Sequence, residues 1–173
     1  MEAVVGMPGS LFSSYGANPV RTVVFTVLVA FTLTGFAFAG ERGLVIVGHG
    51  APMPSWNAPV LALENQVKTL LAEGEGRDVF AEMRVALMEF AEPSIHTVMC
   101  ELEEAGIDEV YVLPLFIAPS GHSLFDVPTI LGLYAEASMI EQLSEEGITI
   151  VDTDMKVALG PTMRTGNVLR EIM

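Results

Sequence analysis

The sequence of 173 residues contains a single cysteine, Cys100, and only eight basic side chains against 22 acidic ones. One cysteine excludes an intramolecular disulfide and a cysteine-rich zinc site. The net charge of −14 argues against a nucleic-acid partner, because phosphate backbones are bound by lysine and arginine. The same charge is compatible with attracting metal cations. Cys100 falls in a helical pattern, and we expect it to be a buried, unreactive thiol.

Two common catalytic motifs are also missing from the sequence. It has no Gly-x-x-x-x-Gly-Lys phosphate loop and no Gly-x-Ser-x-Gly nucleophile elbow. Ser120 stands two residues before His122, but a serine hydrolase would also need an aspartate and an oxyanion hole, which the sequence does not assign. Serine-based hydrolysis therefore finds little support.

An uncharged apolar run occupies residues 23–39. Arg21 precedes it, and Ala37-Phe38-Ala39 before Gly40 follows the small-x-small rule for cleavage of a signal peptide. We therefore expect residues 1–39 to be a secretory signal that exports the protein to the periplasm. The alternative is an uncleaved membrane anchor, although the run is shorter than the ~20 residues of a full span. Residues 40–173 would form one domain.

Strand and helix patterns alternate along residues 40–173. This alternation predicts an α/β fold with a parallel sheet flanked by helices and joined by right-handed crossovers. The last pattern stops inside an amphipathic helix, so we expect either a truncated chain or one half of a larger architecture. The predicted strands are 43–47, 82–88, 109–116 and 148–151, and the predicted helices are 57–71, 93–106, 126–134, 138–146 and 162–173. Asn57 is a candidate cap for the first helix, and Pro93 suits the first turn of the second.

Four ionisable side chains follow three of these strands: His49, Glu89, Glu92 and His122. The carboxyl ends of parallel strands meet at one edge of a sheet, where ligands of open α/β folds bind. Two imidazoles and a carboxylate can hold a borderline divalent metal or move protons near neutral pH. Structural roles remain open for each: a turn for His49, solvation for Glu89, a helix cap for Glu92 and a loop for His122.

The residues around these side chains resemble the class II tetrapyrrole chelatases, most closely the CbiX-type sirohydrochlorin cobaltochelatases. The resemblance runs from residue 43 to about 133, with a weaker match at 159–161. The matching motifs are 47–50 (VGHG), 87–95 (LMEFAEPSI), 112–122 (VLPLFIAPSGH), 126–128 (DVP) and 131–133 (LGL).

The resemblance implies a flavodoxin-like, chelatase-like sheet and ATP-independent insertion of Co²⁺ into sirohydrochlorin, a step in cobalamin biosynthesis. Ni²⁺ and Fe²⁺ stay open, because the ligand preferences of these ions overlap. The metal is a substrate, and no permanently bound cofactor is implied. Short family members work as homodimers, so this single half implies a homodimer or a missing second half.

Roles for individual residues follow from the same resemblance. His49 is similar in position to the proton acceptor and a metal ligand, and His122 to the second metal ligand. Glu89 is a possible additional participant. An apolar cleft for the macrocycle is expected from Phe90, Phe116, Ile117 and Leu124. The expected substrate contacts are Glu92, Ile117, Ala118, Pro119, Ser120, Gly121 and His122.

A second hypothesis is an exported, non-catalytic carrier of metal, haem or another tetrapyrrole on the same fold. The export signal favours it, as does Ala51, where the family usually has serine. A third is an unrelated flavodoxin-like binding module. Sirohydrochlorin is rich in carboxylates, and a less acidic tetrapyrrole becomes plausible if no basic side chain reaches the cleft. The basic candidates are Lys68, Arg77, Arg84, Lys156, Arg164 and Arg170.

Overall fold

A computed structural model describes residues 41–74 and 79–164, and a parallel β-sheet lies at the centre of this part of the chain. The strand order is β2-β1-β3-β4, and all neighbouring strands run parallel. This is the order of the flavodoxin-like arrangement, so the predicted parallel α/β architecture is confirmed for the described residues. The strands are β1 (Arg42–Gly48), β2 (Glu82–Leu87), β3 (Glu109–Pro114) and β4 (Lys156–Leu159).

Helices connect each strand to the next, as parallel pairing requires. A single π-helical turn, His122–Asp126, lies directly before α4, and we call it the π-turn. The helices are α1 (Pro54–Leu61), α2 (Leu63–Glu73), α3 (Ile95–Glu104), α4 (Val127–Ile130) and α5 (Ala137–Glu145). None of these helices is long and apolar enough to cross a membrane. The predicted secretory segment, residues 1–39, lies outside the described residues.

Apolar side chains cover both faces of β1, because successive strand residues point to opposite sides of a sheet. Leu44 and Ile46 pack with the buried face of α2. Val45 and Val47 pack in a second cluster with α3, α4 and α5. Six consecutive residues of β1 are buried, which identifies it as the central strand.

The predicted fourth strand at residues 148–151 is wrong. That apolar run packs on the core without pairing to β3, and the Val151 N–H donates to the Ile130 carbonyl (2.7 Å) at the end of α4. The strand that pairs with β3 is β4, which begins at Lys156. It alternates between exposed and half-buried residues, so its apolar signal is weak.

Several helix boundaries also differ from the predictions. Asn57 lies inside α1, where its buried amide donates to the Ala51 carbonyl (2.8 Å), so it is not a cap. Pro93 precedes α3, because the Ser94 hydroxyl caps the helix by accepting from the Thr97 N–H (3.2 Å). Cys100 is exposed, because α3 buries the opposite face.

The last two predicted helices have different outcomes. The helix predicted over 126–134 is divided between the π-turn and the short α4, which ends before Gly132 (φ 70°). The helix predicted over 162–173 is absent at 162–164, and its remainder lies outside the described residues.

Candidate functional site

Two histidines and one glutamate meet at the carboxyl edge of the sheet. The His49 Nε2 atom lies 3.2 Å from the Nε2 of His122 and 3.1 Å from Oε1 of Glu89. His49 follows β1, Glu89 follows β2, and His122 begins the π-turn after β3. Because β1 lies between β2 and β3, the three segments leave the sheet side by side at its topological switch point.

Gly50 allows the end of β1 to lie directly against the end of β2. The Met88 N–H donates to the Gly48 carbonyl (2.9 Å), and the Glu89 N–H donates to the His49 carbonyl (3.0 Å). Gly50 has a φ of 92°, and a Cβ atom there would collide with the Glu89 carbonyl oxygen. The Gly-His-Gly sequence is therefore what brings Glu89 within contact of the imidazole.

The Nδ1 atom of each imidazole faces a hydrogen-bond acceptor. In His49 the partner is the Gly50 carbonyl (2.9 Å), and in His122 it is Oδ2 of Asp126 (2.6 Å). Since a carbonyl and a carboxylate only accept, each Nδ1 carries the hydrogen in the neutral ring. In the neutral rings each Nε2 then presents a lone pair to the other, and the Glu89 carboxylate, which also only accepts, faces the His49 Nε2. These three groups therefore call for a proton or a metal ion between them.

Asp126 is a site residue that the sequence analysis missed. It lies four residues after His122 in the π-turn, and its side chain is only 17 % exposed. A carboxylate in this position fixes the orientation and tautomer of the ring. The spacing His-x-x-x-Asp indicates such a pair only when both residues are helical, and the predicted helix begins at residue 126, after His122.

Aromatic and aliphatic side chains surround the imidazoles. The Phe116 ring centroid is 6.5 Å from that of His49 and 6.4 Å from that of His122, and the Phe90 centroid is 6.3 Å from that of His49. Phe90 has a φ of 67°, which non-glycine residues rarely adopt, and its side chain is 63 % exposed. Ile117 and Leu124 are exposed as well. We call these four residues the apolar rim.

Glu92 does not join the two histidines. Its Oε2 accepts from the Ser94 N–H (2.6 Å) just before α3, and this backbone hydrogen bond lowers the pKa of the carboxyl below its ordinary value of 4.5. Glu92 and Glu89 line a common cavity of about 420 Å³, which also reaches Thr149. Glu92 thus stabilises the start of a helix, which is the structural role that its sequence position left open.

The loop predicted to contact substrate joins β3 to His122. Ile117, Pro119, Ser120 and Gly121 are exposed, and Ala118 is half-buried. The Ser120 N–H donates to the Ser123 hydroxyl (2.9 Å), which ties the loop to the π-turn. The loop therefore lies at the same edge of the sheet as the imidazoles.

The arrangement is not a closed metal cage. Over residues 41–74 and 79–164, no three His, Cys, Asp or Glu side chains are placed as a ready-made metal site. Glu89 contacts one of the two imidazoles, and both histidine side chains are 43 % exposed. The site is a pair of facing imidazoles with one adjacent carboxylate, open on one side to a ligand.

A family model described as CbiX matches residues 43–171, and the chain belongs to this family. The curated relatives include proteins named sirohydrochlorin cobaltochelatase. The one from Methanococcus maripaludis is 35 % identical over 93 residues, which cover 54 % of this chain and 60 % of that protein. The one from Methanocaldococcus jannaschii is 34 % identical over 92 residues, covering 53 % and 59 %. The chain thus spans about 60 % of the length of these relatives.

A longer match and two solved structures extend the comparison. The sirohydrochlorin cobaltochelatase of Saccharolobus islandicus is 28 % identical over 127 residues, which cover 73 % of this chain and 89 % of that protein. A cobalamin (vitamin B12) biosynthesis CbiX protein from Marinobacter aquaeolei aligns with a TM-score of 0.41 at 24 % identity, covering 76 % of this chain and 93 % of that one. The sirohydrochlorin chelatase SirB from Bacillus subtilis in complex with cobalt aligns with a TM-score of 0.44 at 15 % identity, covering 71 % and 44 %.

Replacing Gly50 by alanine should destabilise the domain by about 2 kcal/mol or more, because the new Cβ meets a backbone carbonyl at a positive φ. Urea unfolding followed by circular dichroism measures this change. Gly121→Ala is the matched control, since Gly121 has an ordinary helical φ of −49° and open space around it. Equal stabilities of the two variants would contradict the close packing of the two strand ends.

Replacing Glu92 by glutamine should reduce stability near neutral pH and progressively less in acid. A folded-state pKa below 4.5 means that the ionised form stabilises the fold above that pH, and that this stabilisation is lost as the pH falls through the folded pKa. Unfolding free energies measured at several pH values between about 3 and 7 should show the wild type and the variant converging at low pH.

The matched control is Glu141→Gln, on the exposed surface of α5. Two results would argue against the Ser94 hydrogen bond as the cause. In the first, the difference in unfolding free energy between wild type and Glu92→Gln stays constant with pH. In the second, the difference for Glu141→Gln converges to the same extent at low pH.

Proposed function

We propose that this protein inserts a divalent metal ion, Co²⁺ in the first place and Ni²⁺ or Fe²⁺ as alternatives, into sirohydrochlorin or a close relative of it. The reaction belongs to cobalamin and tetrapyrrole biosynthesis, and it uses no ATP. The support is membership of the CbiX family and similarity to relatives named sirohydrochlorin cobaltochelatase.

The observation that carries this proposal is the pair of facing Nε2 atoms. Two lone pairs 3.2 Å apart, with the Glu89 carboxylate 3.1 Å from one of them, repel each other unless a cation lies between them. A proton or a metal ion is the cation that such a site accepts. A purely structural histidine pair would instead place a ring N–H of one residue against the lone pair of the other.

The spacing of the two nitrogen atoms suits a first-row metal. Imidazole nitrogens bind such ions at about 2.0–2.1 Å, so two ligands at tetrahedral or octahedral angles lie about 2.8–3.4 Å apart. The observed separation of 3.2 Å falls in this interval. Two imidazoles leave coordination positions open, and a metal held in this way can pass to the four nitrogens of a macrocycle.

Metal insertion releases two protons from the inner nitrogens of the tetrapyrrole. We assign His49 as the first acceptor, because its Nε2 becomes available once the metal has moved to the ring. Glu89, which contacts the same nitrogen, is placed to take up a proton from His49 or to receive the second one. His122 keeps the proton on its own Nδ1 atom, which donates to Asp126 throughout, and it serves as a metal ligand.

The macrocycle would lie against the apolar rim, with Glu92 and residues 117–122 contacting its edge. A flat, largely apolar ring needs such a surface because burial of apolar area drives binding. The exposed Phe90 and Ile117 side chains leave one face of the ring open in a single chain. We therefore propose that the protein acts as a homodimer in which a second copy covers that face.

The N-terminal sequence supports a proposal about location and an alternative function. Residues 1–39 carry the features of a secretory signal, so we propose that the protein is exported, with an uncleaved anchor as the alternative. Together with Ala51, an exported location favours a carrier that binds metal or tetrapyrrole without turnover. The two functions differ in whether the amount of metallated product formed exceeds the amount of protein present.

Anaerobic absorbance of sirohydrochlorin with Co²⁺ and a catalytic amount of the protein tests the chelatase directly. His49→Ala and His122→Ala should each lower turnover by about 100-fold or more, because each removes a ligand or a proton acceptor. His96→Ala is the matched control and should stay within about twofold, because the His96 ring lies on α3 beside the Cys100 sulfur (3.9 Å) and is not part of the facing pair. Turnover that survives in both site variants would refute the two-histidine site. Tight one-to-one binding without turnover would establish the carrier.

Replacing Asp126 by asparagine should weaken Co²⁺ binding by about tenfold or more, because a neutral amide no longer fixes the Nδ1–H tautomer of His122. The affinity is measured by titrating the metal-free protein with Co²⁺ and following the ligand-field absorbance. Thermal melting of the same variant separates this effect from loss of fold. Wild-type Co²⁺ affinity in a folded variant would show that Asp126 has no positioning role.

A further inference from the structure

The basic side chains of the described residues differ in whether a carboxylate pairs with them. The proposed substrate is rich in carboxylates, whereas the chain has a net charge of −14, so unpaired cations are scarce. Most of the described cations are neutralised by a neighbouring carboxylate. These pairs are Lys68 with Glu64 (2.7 Å), Arg84 with Glu82 and Glu101, and both Arg42 and Lys156 with Glu109.

Arg164 differs from these residues. No carboxylate within the described ranges forms an ion pair with it, and it is exposed. With no ion pair to the described carboxylates, the Arg164 guanidinium keeps its charge and its N–H donors available to a ligand. Its value as a binding residue therefore depends on where the backbone holds it.

Two backbone hydrogen bonds hold Arg164 beside the candidate site. The Arg164 N–H donates to the Ile117 carbonyl (2.9 Å), and the Met163 N–H donates to the Phe116 carbonyl (3.0 Å). Residues 163–164 are thus fastened to the segment that leads from β3 to the π-turn. The ring of Phe116 lies about equally far from both imidazoles, with centroid distances of 6.5 and 6.4 Å.

This placement suits the outer edge of a tetrapyrrole. If the inner nitrogens of the ring face the two histidines, the ring extends over the apolar rim, and its carboxylates lie at the periphery. The Arg164 N–H is bonded to the carbonyl of Ile117, a residue of the apolar rim, so the backbone holds Arg164 beside the surface where the edge of such a ring would lie.

We infer that Arg164 is a specificity-determining residue that binds a peripheral carboxylate of the tetrapyrrole. This inference rests on the proposed function. Guanidinium and carboxylate groups match as a bidentate pair, which fixes the rotation of the ring as well as contributing affinity. Arg164 also offsets locally the repulsion between an acidic protein and an acidic substrate. It would favour sirohydrochlorin over tetrapyrroles that have few carboxylates.

Binding of metal-free sirohydrochlorin to the full chain, followed by fluorescence quenching at low ionic strength, tests the inference without requiring turnover. Arg164→Gln should raise Kd by about tenfold or more, and Arg164→Lys should recover part of the loss. Lys68→Gln makes the same change of charge on α2, away from the site, and should stay within about twofold. In the chelatase assay, Arg164→Gln should raise KM and leave kcat at saturation within about twofold.

A porphyrin with only two carboxylates serves as the second ligand, and Arg164→Gln should affect its binding much less than that of sirohydrochlorin. Equal Kd values for wild type and Arg164→Gln would overturn the inference while leaving the chelatase proposal intact. An equal loss of affinity in Lys68→Gln would show that the change reflects the general charge of the protein, and this result would also overturn the inference. If Arg164→Gln raises Kd as expected but the wild type never turns sirohydrochlorin over, the chelatase proposal alone is refuted.

Discussion

The pairing of β1 with both of its neighbours is the constraint on which the rest of the structure depends. Its register places Gly48 opposite Leu87 and Val47 opposite Pro114, so the chain segments after three strands leave the sheet at the same level. A shift of β1 by one residue would exchange the side chains that pack with α2 for those that pack with α3, α4 and α5, and so disrupt both apolar clusters. The contact between His49, Glu89 and His122 follows from this register together with the lack of a side chain at Gly50.

The hydrogen bond made by the Nδ1 atom of each imidazole determines whether its Nε2 atom is free to accept a proton or a metal ion. The two Nδ1 atoms donate to a backbone carbonyl and to a carboxylate, respectively, which directs both Nε2 lone pairs into the same small volume. The His49 partner comes from the glycine that also forms the turn, and the His122 partner comes from the far end of the π-turn. The same local conformations therefore set both the position of each ring and its protonation pattern.

The sequence predicted those parts of the structure that depend on strong, local signals. The buried strands β1 and β3 have long apolar runs and were predicted, although β3 ends at Pro114, two residues before the predicted end. The strand β4 was missed because it is only four residues long and gives a weak signal, whereas the more apolar run at 148–151 packs on the core near α4 instead. The partnership of Asp126 with His122 was missed because it depends on a π-turn, whose spacing no apolar pattern reveals. The exposure of Cys100 depends on which face of α3 meets the sheet.

The parts of the site come from two kinds of segment, and this has an evolutionary consequence. His49 and Glu89 directly follow strands whose register the core fixes, so substitutions elsewhere leave their spacing intact. Ile117 and Arg164 belong to connecting segments that are held together by two backbone hydrogen bonds, which do not depend on the identity of the side chains. Under the proposed function, selection could therefore exchange the residues at the edge of the macrocycle while the two proposed histidine ligands stay unchanged. On that proposal, new tetrapyrrole substrates would be acquired more readily than new metals.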